Sequence, residues 1–186
     1  RDWWMGNDEM ALELDVPMII LSLHIQGIGP HEDTVLDFTD RASPIAILAP
    51  YGTGKTWLLE AILICLYGRG AWYPGTAYDA LTTGGTGRGM IEIEFEVGGL
   101  KFGARREVSD TGKTKSQRAM LYRYVCGDEP DHIAGPKQAD FENAINNLIG
   151  DYDLALATWF LSQARAGDLC GQPGERDLVA RRRRIF

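Results

Sequence analysis

Ala49-Pro50-Tyr51-Gly52-Thr53-Gly54-Lys55-Thr56 is the stretch whose residue types and spacing can do chemistry. It fits the phosphate-loop pattern G-x-x-x-x-G-K-[ST] at every defining position except the first, where alanine replaces glycine. A phosphate chain carries several negative charges, and such a loop wraps it with successive backbone N–H groups and the positive end of a helix. Gly52 and Gly54 let the main chain approach without a Cβ in the way. Lys55 is spaced to reach the terminal phosphates, and the Thr56 hydroxyl to ligate Mg²⁺. Pro50, Tyr51 and Thr53 complete the cradle, so residues 50–56 are the expected contacts of ATP with Mg²⁺. Ala49 precedes a proline, which favours extended backbone that alanine tolerates well. A positive φ there would instead cost on the order of 1 kcal/mol, weakening binding without abolishing it.

The plainer alternative is a glycine turn leading into an ordinary helix. Bare Gly-Lys-Thr sequences arise by chance, and Thr111-Gly112-Lys113-Thr114 is one. That copy lacks the upstream glycine and lies between two strand-like segments, which makes it a hairpin tip. The copy at 49–56 has the context the chemistry requires. Ile45–Leu48 before it is a wholly apolar run, as expected of a central strand buried on both faces. After it, Leu58, Leu59, Ile62, Leu63 and Leu66 recur at helical spacing over Lys55–Tyr67, and Gly68 is placed to cap the helix. A second glycine cluster, Gly84-Gly85-Thr86-Gly87-Arg88-Gly89, follows no strand and opens no helix, so it reads as a connector.

The remaining elements must position this loop. Met18–Ile25 and Thr34–Phe38 read as two strands broken by Gly27, Gly29 and Pro30. Met90–Val97 alternates Ile91, Ile93, Phe95 and Val97 with Glu92, Glu94 and Glu96, the pattern of a half-buried antiparallel strand. Gly98-Gly99 is a two-residue turn signal, Leu100–Val108 the return strand, and Ala119–Cys126 a third strand of the meander. Pro136 opens a helix with Phe141, Ile145, Leu148 and Ile149 on one face, and Asp151 can cap another through about Thr158.

The chain has 186 residues, enough for one domain with a real core, and a net charge of −7. Nothing in that total suggests a nucleic-acid surface, so any DNA contact would need a local basic patch or a partner's charge. Cys65, Cys126 and Cys170 are scattered, which argues against a disulfide framework or a cysteine zinc site and fits a reducing cytoplasm. No apolar run is long enough to span a bilayer, so no membrane partner is expected. The first residue is Arg1 rather than methionine, which suggests a trimmed chain or a fragment.

Beyond the loop, the chain resembles the N-terminal lobe of SMC-like ABC ATPases, especially those of the SbcC-type exonucleases. Four segments carry the likeness: Ile19–Phe38 as the opening hairpin, Lys55–Tyr67 with Glu60-Ala61-Ile62, the acidic meander Ala80–Arg106, and Phe160-Leu161-Ser162-Gln163 with Asp168-Leu169. Together they span about residues 18–180. The resemblance implies an α/β P-loop NTPase fold, a mixed sheet combining an antiparallel ABC-type meander with the loop core, present as the N-terminal lobe only. It implies that Gln163 is the Q-loop glutamine near Mg²⁺ and the attacking water, so Thr56 and Gln163 are the implied metal contacts. Residues 1–17 would be an acidic arm, 18–170 the lobe, and 171–186, with Arg181–Arg184, the start of a coiled-coil helix. Two departures stand out. Tyr51 occupies the place of a usual polar asparagine, and Gly29-Pro30 replaces the arginine and serine of some relatives.

The paired Asp-Glu strand and the serine-glycine signature of the family have no counterpart here. The resemblance therefore implies a half-site that binds ATP·Mg²⁺ weakly and turns over negligibly alone, with no catalytic residue of its own. Implied partners are a C-terminal ATPase lobe, a nuclease subunit, DNA through the assembled complex, and a second head in a head-to-head dimer. Two other readings are a nucleotide-dependent interaction module without catalysis and an unrelated P-loop enzyme. The acidic meander argues against the second.

Overall fold

The computed structural model describes residues 18–39, 45–71, 75–82, 85–125 and 129–158. Among the described residues, six strands form one sheet: β1 (Ile19–Ile28), β2 (His31–Asp37), β3 (Arg88–Val97), β4 (Leu100–Asp110), β5 (Lys115–Arg123) and β6 (Asp131–Ala134). They lie in the order β2-β1-β3-β4-β5-β6, and each neighbouring pair is antiparallel. The described helices follow the same numbering: α1 (Lys55–Tyr67), α2 (Gln138–Ile149) and α3 (Tyr152–Thr158). The chain divides into compact units at residues 1–152 and 153–186; α3 from Asp153 onward belongs to the second. Among the described residues, no helix is long and apolar enough to cross a membrane.

The alternation in β3 is realised in the fold. Ile91, Ile93, Phe95 and Val97 are buried on one face, while Glu92, Glu94 and Glu96 are part-exposed on the other. Gly98 and Gly99 both have positive φ, 60° and 74°, which closes a tight hairpin into β4. The inner face of the sheet, with Leu23, Ile25, Ile91, Ile93, Ala104 and Leu121, packs under α1 and α2, and this is the core. On the outer face Arg105 reaches Glu107 at 2.7 Å and Lys101 reaches Glu94 at 2.8 Å, a ladder of solvated charges.

Helix α1 spans Lys55–Tyr67 and ends at Gly68, whose left-handed φ of 73° lets its N–H reach the Ile64 carbonyl. Its apolar residues run almost all the way round. Leu58, Ala61, Leu63, Ile64, Cys65 and Leu66 are buried, whereas Leu59, part of the apolar stripe in the sequence, is 44% exposed. The next two carbonyls of the last turn are met by an internal cation. Arg106, fully buried in β4, donates from Nε to the Cys65 carbonyl at 2.8 Å and from Nη2 to that of Leu66 at 3.4 Å. Burial holds the Arg106 pKa below its ordinary value. Burial likewise pushes the Cys65 thiol up to about 12, so this cysteine is an inert part of the core.

One expectation is overturned. Ile45–Leu48 is not a strand: the run is irregular, Ile45 and Ile47 are 45% and 41% exposed, and Leu48 is 91% exposed. The described strands are therefore antiparallel throughout, without the central strand expected from this run. The physical reason is that a strand needs a neighbour to satisfy its amides and carbonyls, and no described strand lies beside this one. Smaller differences concern extents. The third meander strand is Lys115–Arg123 rather than Ala119–Cys126, β1 runs on to Ile28, β2 begins at His31, and the short β6 has no signal in the sequence pattern. Residues 1–17, Phe160–Gln163, Asp168-Leu169 and Arg181–Arg184 lie outside the described residues.

Candidate functional site

The loop reaches α1 through two left-handed glycines. Gly52 has φ 82° and Gly54, the N-cap of α1, has φ 88°, so the chain coils before entering the helix. Among the described residues, the amides of Gly52, Thr53, Gly54, Lys55 and Thr56 have no hydrogen-bond partner in the protein. They are the free N–H groups that a helix start offers to an anion.

The Lys55 ammonium folds back over the loop and donates to the carbonyls of Ala49 and Pro50, both at 2.7 Å. Among the described residues it meets no carboxylate. Thr53 Oγ1 donates to the same Pro50 carbonyl at 2.8 Å, which ties the crown of the loop together. Tyr51 is fully exposed at the tip. Thr56 is exposed on the first turn of α1, its hydroxyl without a protein partner among the described residues. Residues 50–56 thus converge on one helix start, while Gln163 lies outside the described residues.

The decoy Gly-Lys-Thr has a different geometry. Asp110 accepts from the Gly112 N–H at 2.9 Å, and Thr111 and Thr114 bond one another across the β4–β5 turn. These bonds, the Gly112 N–H first and the Lys115 side chain next, hold the Asp110 carboxyl below its usual pKa. It is a hairpin tip with its own side chains filling the turn.

Sequence reasoning missed what supports the phosphate loop from below. The β1–β2 turn, Gly29-Pro30-His31, lies against the loop–helix junction. A Cβ on Gly29 would run into the Trp57 ring, and one on Gly54 would overlap Pro30 Cγ and stand 2.8 Å from His31 Nε2. The turn is itself held from behind, where Gly29 N–H donates to the Ala80 carbonyl at 2.7 Å and Thr82 Oγ1 donates to the Gly29 carbonyl at 2.8 Å. The only sequence cue is the cluster of Gly29 and Pro30, which signals a turn but not what the turn touches.

This packing makes a prediction. Gly54→Ala should lower stability by about 2 kcal/mol, from the left-handed penalty plus the displacement of Pro30 and His31. Gly52→Ala, with open space around its Cβ position, should cost only the backbone penalty. Urea unfolding of the two variants side by side checks the ordering; equal losses would contradict it.

The class defined by these elements is an α/β P-loop lobe: an antiparallel meander packed on a helix whose N-terminus carries a phosphate loop. The family model described as an AAA domain matches residues 22–151, and the chain belongs to that family. Its relatives include the SbcC component of the SbcCD nuclease of Deinococcus radiodurans, 30% identical over 84% of this chain and 17% of that protein. They also include the DNA double-strand break repair Rad50 ATPase of Methanopyrus kandleri, 29% identical over 73% of this chain and 14% of the relative. The corresponding Rad50 ATPase of Methanocaldococcus jannaschii is 28% identical over 52% of the chain and 9% of its own length. The resemblance to SbcC-type ATPases is thereby upheld, and the chain spans less than a fifth of each of these relatives.

Proposed function

We propose that the chain is the ATP·Mg²⁺-binding N-terminal lobe of an SbcC/Rad50-type ATPase head, acting in DNA double-strand-break repair or recombination with a nuclease partner. The observation that carries this reading is the loop itself. Among the described residues, five consecutive amides lack protein partners beside an ammonium bound only to loop carbonyls. In this reading the amides of Gly52–Thr56 cradle the phosphates, and Lys55 exchanges its two carbonyls for phosphate oxygens. The Thr56 hydroxyl and Gln163 hold Mg²⁺, which supplies charge neutralisation at the phosphates. Residues 18–170 form the lobe, 1–17 an acidic arm, and 171–186 enter a coiled coil.

The exposed Ile45–Leu48 run supports a further partner lobe. An exposed apolar segment that pairs with no described strand, directly preceding the loop, suits a neighbouring strand contributed by the C-terminal ATPase lobe, in the same chain or another. That lobe would also bring the acidic pair and signature segment. DNA, the nuclease subunit and a second head would join through that assembly in the cytoplasm.

Two measurements test the reading. The chain alone should bind a fluorescent ATP analogue in a magnesium-dependent way and show no steady hydrolysis above background. Absence of nucleotide binding overturns the assignment; sustained turnover by the pure chain overturns the half-site. Binding without turnover even in the presence of the partner lobe would favour the interaction module.

A further inference from the structure

His31 touches the phosphate loop, and nothing in the sequence pattern of that loop calls for it. The side chain is 9% exposed and stands between two fixed groups. Nε2 lies 3.1 Å from the Gly54 carbonyl oxygen, and Nδ1 lies 3.0 Å from Thr34 Oγ1. A carbonyl can only accept, so Nε2 must carry the proton of this bond; in the neutral ring Nδ1 then accepts from the Thr34 hydroxyl. Both ring nitrogens are thereby used, and the ring orientation is set by Thr34, which lies within β2.

We infer that His31 is a positioning residue for nucleotide binding, holding the Gly54 carbonyl so that the free amides of Gly52–Thr56 keep one orientation. The inference rests on the nucleotide reading of that loop. Gly54 is the residue whose left-handed φ of 88° turns the chain from loop to helix. Its carbonyl already accepts from the Trp57 N–H at 2.9 Å, the first bond of the helix start. A second donor from the sheet therefore ties the plane of the Gly54–Lys55 peptide, and so the Lys55 N–H, to β2 rather than to the helix alone. The β1–β2 turn can act as such an anchor because it is pinned on its far side to Ala80 and Thr82. Pro30 closes the remaining space over Gly54. An amide that must not reorient when the phosphate arrives binds it at lower entropic cost. The effect is therefore expected in affinity more than in stability, since the Trp57 bond keeps the Gly54 carbonyl satisfied without His31.

The test compares His31→Phe, which keeps a ring without a donor, with His31→Gln, whose side-chain amide can present an N–H where Nε2 stood. The full chain is titrated with a fluorescent ATP analogue and Mg²⁺, with Lys55→Ala as the site control. Losing one hydrogen bond that orders the loop should weaken binding by His31→Phe about fivefold. His31→Gln should stay within about twofold of the wild type, with melting temperatures alike across both variants. Unchanged affinity in His31→Phe, or equal losses in the two variants, overturns the positioning role while Lys55→Ala still weakens binding. If Lys55→Ala binds as the wild type does, the nucleotide reading falls, and this inference with it. A measurement on the unmodified chain covers variants that do not fold. Long-range ¹⁵N spectra should show a protonated Nε2 for His31, and an Nδ1–H tautomer would refute the bond on which the role depends.

Discussion

Lys55→Ala should weaken ATP binding by about tenfold to a hundredfold while leaving the fold intact. The magnitude follows from charge-assisted hydrogen bonds, each about 1.5–3 kcal/mol when one partner is ionised. The fold survives because, among the described residues, the ammonium is bound only within the loop, to the exposed Ala49 and Pro50 carbonyls. Removing it leaves those oxygens to water, which costs little at the surface. Lys55→Arg is the sharper comparison. A planar guanidinium cannot rotate three donors about one point as an ammonium does, so it should recover charge without recovering full affinity. Isothermal titration of wild type, Ala and Arg variants gives the series. Equal affinities in all three would mean that the phosphates do not meet this loop.

Arg106→Met should lower stability by about 3 kcal/mol, the largest effect expected from a residue outside the loop. Two opposing terms decide the sign. Burial penalises the guanidinium, as its lowered pKa shows, and deleting the charge relieves that penalty. The two carbonyls it serves, those of Cys65 and Leu66, stay where they are and lose their donor at the C-terminal end of α1. A helix end buried without partners is the costlier outcome, and the favourable interaction of a cation with that end of the helix is lost too. Methionine fills most of the volume, so the deficit reads the polar term rather than a cavity. Guanidinium denaturation measures it, and a variant as stable as the wild type would mean that desolvation had outweighed the cap. Nucleotide affinity should change little, since Arg106 acts at the far end of α1 from Lys55.

The contrast between these residues marks what is legible in the sequence. The apolar spacing predicts a helix from Lys55 to Tyr67 with Gly68 as its stop, and α1 spans those residues. The Gly98-Gly99 hairpin and the decoy turn at Thr111–Thr114 are equally legible. Each of these is local: apolar spacing, a glycine free to take positive φ, or a short side chain bonding its own turn writes itself into neighbouring letters. Extents are less legible, because strand ends are set by the partner strand. Thus β1 continues to Ile28 and β2 starts at His31, around a turn whose glycines suggest an earlier break.

The sequence by itself determined the class of this protein and marked the candidate phosphate loop, because both readings depend on residues that are neighbours in the chain. Only the tertiary structure decided how that loop is held. It brought His31 to the Gly54 carbonyl across 23 positions and Arg106 to the Cys65 carbonyl across 41. It also left Ile45–Leu48, which reads as a core strand, exposed and beside no described strand. Pairing, capping and burial between distant segments are properties of the packed chain. An apolar run states only that it needs cover, and a histidine or arginine states only that it can donate.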